Sequence, residues 1–130
     1  MDITLNQAKK IVRAKGFDPY VHGPASAWAK YTLRVLVGVK EPGDSYTNFA
    51  FFFVGKRYLG TDSTNPSARM QVVKQTKDTV AVKYTLYRPD DALADPSGGN
   101  TTVRYKWTGV KLMPLDPVPT DNWSAPLSRR

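Results

Sequence analysis

Residues 49–54 constrain the fold more than any other part of the 130-residue chain. All six residues are apolar, and phenylalanine occupies positions 49, 51, 52 and 53. A run of this length suits a strand and is far shorter than the roughly 18 apolar residues that a membrane-spanning helix needs. Because successive side chains of a strand point to opposite faces, this strand is apolar on both faces. We therefore predict a central strand that is covered on both sides.

Alternating apolar and polar residues indicate further strands along the rest of the chain. The clearest case is residues 79–88, whose apolar side chains share one face. The predicted strands cover residues 28–39, 46–54, 57–61, 70–75, 79–88, 101–107 and 110–115. Glu41-Pro42-Gly43-Asp44 has the residues of a type II turn, and Gly55-Lys56 has those of a type II′ turn. These turns predict antiparallel hairpins.

The N-terminal residues have the signature of a helix over about residues 4–15. Thr4 and Gln7 are spaced as in a capping box, in which each side chain bonds to the backbone of the other residue. Apolar residues then recur at helical spacing as far as position 12. Gly16 suits the left-handed conformation that ends many helices.

These elements predict an α+β fold, in which one N-terminal helix packs on an antiparallel, meander-like sheet of about six or seven strands. Residues 1–119 form a single α+β domain in this interpretation, since the chain has the length of one domain. The prolines that follow Asp116 predict that residues 120–130 form an extended or flexible C-terminal tail.

The chain is poor in the residue types that carry enzyme chemistry. It contains one histidine, one glutamate and no cysteine, so thiolate metal sites and cysteine nucleophiles are excluded. His22 lies in a loop without a partner pattern, and we interpret it as an ordinary loop histidine. Asp90, Asp91 and Asp95 form a candidate loop site, but they lack the spacing of a calcium-binding loop and fit a solvated acidic turn better. We therefore predict a protein that is not an enzyme and has no cofactor or metal.

The positive charge of the chain is the remaining indication of what the protein binds. Nineteen basic and eleven acidic residues give a net charge of +8, which favours anionic partners. If the strands alternate as predicted, four basic residues project from one side of the sheet as a candidate anion-binding face: Arg34, Lys83, Arg104 and Lys106. The plain alternative is a solubilising surface. Nucleic acid is the second candidate partner. It ranks second because the oligonucleotide-binding barrel, which uses a basic face with stacking aromatics, needs a helix between strands, and this chain shows only loops there.

From about residue 49 onward, a series of short segments follows the order and spacing of a known family. The segments are Phe51-Phe52-Phe53, Gly55-Lys56-Arg57-Tyr58-Leu59-Gly60-Thr61, Thr79-Val80-Ala81-Val82-Lys83-Tyr84, Arg88-Pro89-Asp90-Asp91, Pro96-Ser97-Gly98-Gly99, Val103-Arg104-Tyr105-Lys106-Trp107 and Leu115-Asp116-Pro117-Val118-Pro119. Together they resemble the LppP/LprE family of actinobacterial lipoproteins over about half of the chain. The helix, with Gln7-Ala8 and Gly16-Phe17, is more weakly similar.

The resemblance implies an exported domain that a lipidated N-terminal cysteine tethers to a membrane. The sequence contains no cysteine, so we expect either that the export signal and the lipidated residue precede Met1 or that this chain is an unanchored relative. Members of the family also tend to carry cysteines just before Pro-Ser-Gly-Gly, where this chain has Leu93, Ala94 and Asp95, so a family disulfide is missing. The resemblance brings no catalytic residue with it.

The expected function is that of a non-enzymatic, extracytoplasmic domain associated with the cell envelope. Its basic face is expected to bind an anionic polymer, a lipid headgroup or an envelope protein. The expected location is outside the cytoplasm, with a membrane anchor inferred from the resemblance alone. The alternative is a cytoplasmic module that binds nucleic acid.

Overall fold

Two antiparallel sheets and one N-terminal helix make up the fold in the computed structural model, which describes residues 2–40 and 45–130. The helix α1 covers Leu5–Ala14, and a 3₁₀ helix covers Ala25–Lys30. The strands are β1 (Phe17–Val21), β2 (Leu33–Lys40), β3 (Asn48–Val54), β4 (Arg57–Thr61), β5 (Met70–Gln75), β6 (Thr79–Thr85), β7 (Asn100–Trp107) and β8 (Leu112–Pro114). The turn predicted at residues 41–44 lies outside the described residues.

The α+β class and the N-terminal helix are confirmed, but the prediction of a single sheet of six or seven strands is wrong. Strands β1 to β4 form a first sheet and strands β5 to β8 a second sheet, so the described residues contain eight strands. Within each sheet, every strand pairs antiparallel with its neighbours in the sequence. The connection after β4 crosses to a second layer, and alternation along a strand does not reveal whether the next strand extends a sheet or begins another.

Strand β1 is the element that the sequence interpretation missed. Its sequence contains Asp18-Pro19, and the sequence pattern predicts no strand before residue 28. Proline lacks a backbone N–H and is tolerated in a sheet chiefly on edge strands. Since β1 pairs only with β2 at the edge of the first sheet, Pro19 is compatible with it.

The core consists of two layers of side chains, one on each face of the first sheet. Between the sheets, Phe52 is fully buried and its ring centroid lies 5.3 Å from that of Tyr105. On the opposite face, Phe51 and Phe53 are buried in a second cluster with Val12 of α1. Strand β3 is therefore central and covered on both sides, as residues 49–54 predicted.

The helix is capped as its sequence predicts. The Thr4 backbone N–H donates to Gln7 Oε1 at 2.9 Å, and the Gln7 backbone N–H donates to Thr4 Oγ1 at 3.1 Å. Gly16 follows the helix with φ +89°, a left-handed conformation that costs glycine little. These two signals set where α1 begins and ends, and its buried residues Ala8 and Val12 pack it against the first sheet.

Residues 120–130, expected to be an extended or flexible tail, lie against the ends of both sheets and are called the C-terminal clasp below. Ser128 and Tyr87 exchange two backbone hydrogen bonds of 2.9 and 2.8 Å. The Ala68 backbone N–H donates to the Arg129 carbonyl at 2.9 Å. Ser128, Arg129 and Arg130 are buried. The clasp thus joins the loop after β4 to the loop after β6.

Candidate anion-binding face

Three of the four basic residues of the predicted face lie together on the outer side of the second sheet. Lys83 belongs to β6, and Arg104 and Lys106 belong to β7. The register pairs Ala81 with Arg104 in adjacent strands, while the alternate residues Val82 and Val103 are buried between the sheets. The alternation predicted for these two strands therefore sends their basic side chains to the outer side.

Lys74 of β5 joins them and was missed in the sequence interpretation. Strict alternation from the buried Val72 would turn Lys74 inward. A β-bulge between Val72 and Lys74 shifts the register, so that Lys74 pairs with Ala81 and Val73 is left 41% exposed. We call the surface formed by Lys74, Lys83, Arg104 and Lys106 the basic face.

Arg34 does not belong to the basic face, and its assignment there is corrected. It lies in β2 of the first sheet, on the side that faces the helix layer, and it is only 2% exposed. Its guanidinium donates to the carbonyl oxygens of Trp28 and Ala29 at 2.9 and 3.2 Å and forms an ion pair with Asp2 at 3.0 Å. Alternation correctly put Arg34 opposite Leu33, but both faces of the first sheet are covered.

A small residue lies at the centre of the basic face. Lys74 and Arg104 flank Ala81 on the two neighbouring strands, and Lys83 lies two residues further along β6. Neighbouring strands are about 4.8 Å apart, and alternate residues of one strand are about 6.8 Å apart. Three cationic side chains thus surround Ala81, whose own side chain is only a methyl group and is 8% exposed.

One charge of the basic face is already compensated. The Arg104 guanidinium donates through Nε and Nη2 to the two carboxylate oxygens of Asp116, each at 3.0 Å, and the Arg104 backbone N–H donates to Asp116 Oδ2 at 2.9 Å. These bonds lower the pKa of Asp116 to about 2. The three lysines form no ion pair within the described part of the chain. They therefore carry the uncompensated charge of the face.

The three aspartates of the candidate loop site are not brought together as ligands. Asp91 accepts hydrogen bonds from the backbone N–H groups of Arg88 and Ser97, at 2.8 and 2.7 Å, which lower the pKa of its carboxyl. Asp90 and Asp95 are exposed. In residues 2–40 and 45–130, no group of three or more His, Cys, Asp or Glu residues is placed to hold a metal ion. Asp91 thus organises the loop.

A polar chain inside the sandwich was not foreseen from the sequence. The Tyr84 hydroxyl donates to Asp62 Oδ2 at 2.6 Å and lies 2.6 Å from the Tyr105 hydroxyl, which donates to it in turn. Asp62 Oδ1 accepts from the Ala50 backbone N–H at 2.8 Å. Burial raises the pKa of the Asp62 carboxyl, although these hydrogen bonds oppose the shift, and burial raises the pKa of Tyr105 to about 12. These three side chains come from segments far apart in the sequence.

The raised pKa of Asp62 predicts a pH dependence of stability that an asparagine lacks. A carboxyl whose pKa is higher in the folded state contributes most stability when it is protonated, and this contribution is lost as the pH rises through the folded-state pKa. The free energy of unfolding of the wild type, relative to that of Asp62→Asn, should therefore increase as the pH falls from 7 towards the ordinary value of 3.8. The slope is at most about 1.4 kcal/mol per pH unit. Urea unfolding of both proteins across this range measures it, and a constant difference would contradict the prediction.

The described residues define a class of small protein: a two-sheet sandwich backed by a helix, with a basic outer face on the second sheet. The chain belongs to the LppP/LprE lipoprotein family, whose sequence model matches residues 28–110, and the resemblance is thereby confirmed. Membership indicates an extracytoplasmic, membrane-anchored lipoprotein. No curated protein and no solved structure matches the chain. The helices among the described residues are too short or too polar to cross a membrane.

Proposed function

We propose that this protein is a non-enzymatic extracytoplasmic domain, tethered through a lipidated N-terminus, whose basic face binds anionic groups such as phosphates. The observation that carries the proposal is the arrangement of Lys74, Lys83 and Arg104 around Ala81 on one outer sheet face. The ligand chemistry is that of a repeated anionic group, which a soluble polymer or a layer of lipid headgroups can present.

The composition of the face favours this ligand over nucleic acid. Binding of single-stranded nucleic acid without sequence preference relies on aromatic side chains on which bases stack. The outer residues of the two central strands of the second sheet are Thr79, Ala81, Lys83, Thr85, Asn100, Thr102, Arg104 and Lys106. None of them is aromatic. Family membership also supports a location outside the cytoplasm.

The test compares two variants that remove the same charge from opposite sides of the molecule. The face variant carries Lys74→Gln, Lys83→Gln and Lys106→Gln, and the control carries Lys9→Gln, Lys10→Gln and Arg13→Gln on α1. Binding of polyphosphate is measured by calorimetry at low and at physiological salt. We expect the face variant to bind about tenfold or more weakly and the control to change by less than about twofold.

Two further experiments distinguish a polymer ligand from a lipid ligand and exclude misfolding as the cause of weaker binding. In a second experiment, vesicles containing phosphatidylglycerol replace polyphosphate. The ligand for which the affinities of the face variant and the control differ more shows whether a soluble polymer or a layer of lipid headgroups is the natural source of the anionic groups. Asp116→Asn releases Arg104 from its partner and should strengthen binding, a gain that misfolding does not produce. Equal losses in both triple variants would show that diffuse charge drives the attraction, and the proposed site would then be wrong.

A further inference from the structure

A cavity on the C-terminal clasp lies away from the basic face. Its volume is about 390 Å³, within the range of small-molecule pockets. Its walls come from segments that are distant in the sequence: Tyr46 before β3, Pro66 after β4, Leu93 after β6 and Trp123 of the clasp. Each segment is fixed elsewhere by hydrogen bonds, such as the bond of 2.8 Å from the Tyr87 hydroxyl to the Leu93 carbonyl.

Trp123 is 57% exposed, which is slightly more than the 54% of Tyr20, the other large aromatic residue that is exposed in the described chain. The Arg130 guanidinium lies 4.7 Å from the centroid of its ring and 5.2 Å from that of Tyr87. Arg130 is itself 7% exposed, and its guanidinium donates to the carbonyl oxygens of Arg88 and Pro89 at 2.9 and 2.8 Å. The exposed ring is therefore held by a fixed cation that lines the same cavity.

Polar groups beside this ring have unused hydrogen-bonding capacity. Asn65 Nδ2 donates to Asp121 Oδ2 at 2.5 Å, which orients both side chains at the cavity. Within the described residues, the second carboxylate oxygen of Asp121 and the indole N–H of Trp123 make no hydrogen bond. Nε of Arg130 also has no partner, but this atom is buried and a ligand cannot reach it. A ligand in the cavity could therefore donate to the Asp121 carboxylate oxygen and accept from the Trp123 indole N–H. The charges of Asp121 and Arg130 have opposite signs.

We infer that this cavity binds a neutral saccharide. A sugar ring presents an apolar face of C–H groups that stacks on an aromatic ring, and each of its hydroxyls both donates and accepts hydrogen bonds. This chemistry matches an exposed indole beside an uncommitted carboxylate oxygen and a free N–H. A strongly charged ligand would gain little, because the cavity carries one charge of each sign. The inference does not depend on the basic face.

The test titrates the whole chain with three neutral oligosaccharides: mannotetraose, tetra-N-acetylchitotetraose and maltotetraose. Binding is followed by calorimetry and by the NMR resonance of the Trp123 indole N–H. At least one of them is expected to bind at millimolar concentration or below and to shift that resonance. Trp123→Ala and Asp121→Ala should each weaken binding about tenfold, which corresponds to about 1.4 kcal/mol.

Leu127→Ala is the matched control, because Leu127 is a 42% exposed residue of the same clasp that does not line the cavity. It should leave saccharide binding unchanged. Thermal melting checks that every variant is folded. Absence of binding by all three sugars, or binding that a folded Trp123→Ala variant retains, would overturn the inference. Binding of an oligoproline peptide that depends on Trp123, with no sugar binding, would overturn it in favour of a peptide site.

Discussion

Replacing Phe52 with aspartate is expected to unfold the protein. Phe52 is fully buried between the two sheets, where the surroundings offer an ionised carboxylate no water. Burying an unpaired charge costs several kcal/mol, and the lost aromatic packing costs about 3–5 kcal/mol more. The total stability of a domain is about 5–15 kcal/mol, so this one change removes most or all of it. Circular dichroism should show loss of the cooperative thermal transition.

Two controls separate charge burial from the loss of the ring. Phe52→Leu should remain folded and lose about 1–2 kcal/mol. Thr102→Asp places the same charge on the exposed side of β7 and should change stability by less than about 0.5 kcal/mol. If Phe52→Asp melted within a few degrees of the wild type, the placement of β3 between two covering layers would be wrong.

Replacing Arg34 with alanine is expected to lower the free energy of unfolding by about 2–4 kcal/mol. The change empties the space of a buried side chain and removes the guanidinium donor from the carbonyl oxygens of Trp28 and Ala29. The Trp28 carbonyl then keeps only the long bond of 3.4 Å from the Tyr31 backbone N–H. Urea unfolding measures this loss. Asp2→Asn should have a much smaller effect, because the side chain of Asp2 is 61% exposed.

The same variant separates a structural role from a binding role. Under conditions in which Arg34→Ala is folded, its affinity for polyphosphate should equal that of the wild type, because Arg34 lies in the first sheet and away from the basic face. A loss of affinity comparable to that of the Lys74, Lys83 and Lys106 triple variant would contradict this assignment. Unchanged stability would contradict the buried hydrogen bonds.

The elements that depend on local chemistry were predictable from the sequence. The capping box of Thr4 and Gln7 requires only neighbours on one helix turn, and β4 and β5 begin and end where their patterns indicate. Gly55 adopts φ +59°, the left-handed value that the first central position of a type II′ turn requires. Each of these features is decided within a few residues, so the sequence pattern contains the information.

The features that depend on tertiary packing were not predictable. Alternation placed Arg34 on one face of β2, but it could not show that α1 and the 3₁₀ helix would cover that face. The bulge that turns Lys74 outward interrupts the alternation on which such an assignment relies. The cavity beside Trp123 exists only because the clasp packs on loops that are far away in the sequence. For the candidate site, the sequence therefore identified Lys83, Arg104 and Lys106 but not the complete face.

The consecutive order of the strands within each sheet bears on how the chain reaches its native state. Every ladder joins strands that follow one another in the sequence. Closing short loops costs little chain entropy, and hairpins form in about 1–10 μs. Contacts across the sandwich, such as that of Phe52 with Tyr105, join residues that are far apart along the chain. The rate-limiting event of folding is therefore expected to be the docking of two early-formed meanders, because that event must bring distant parts of the chain together.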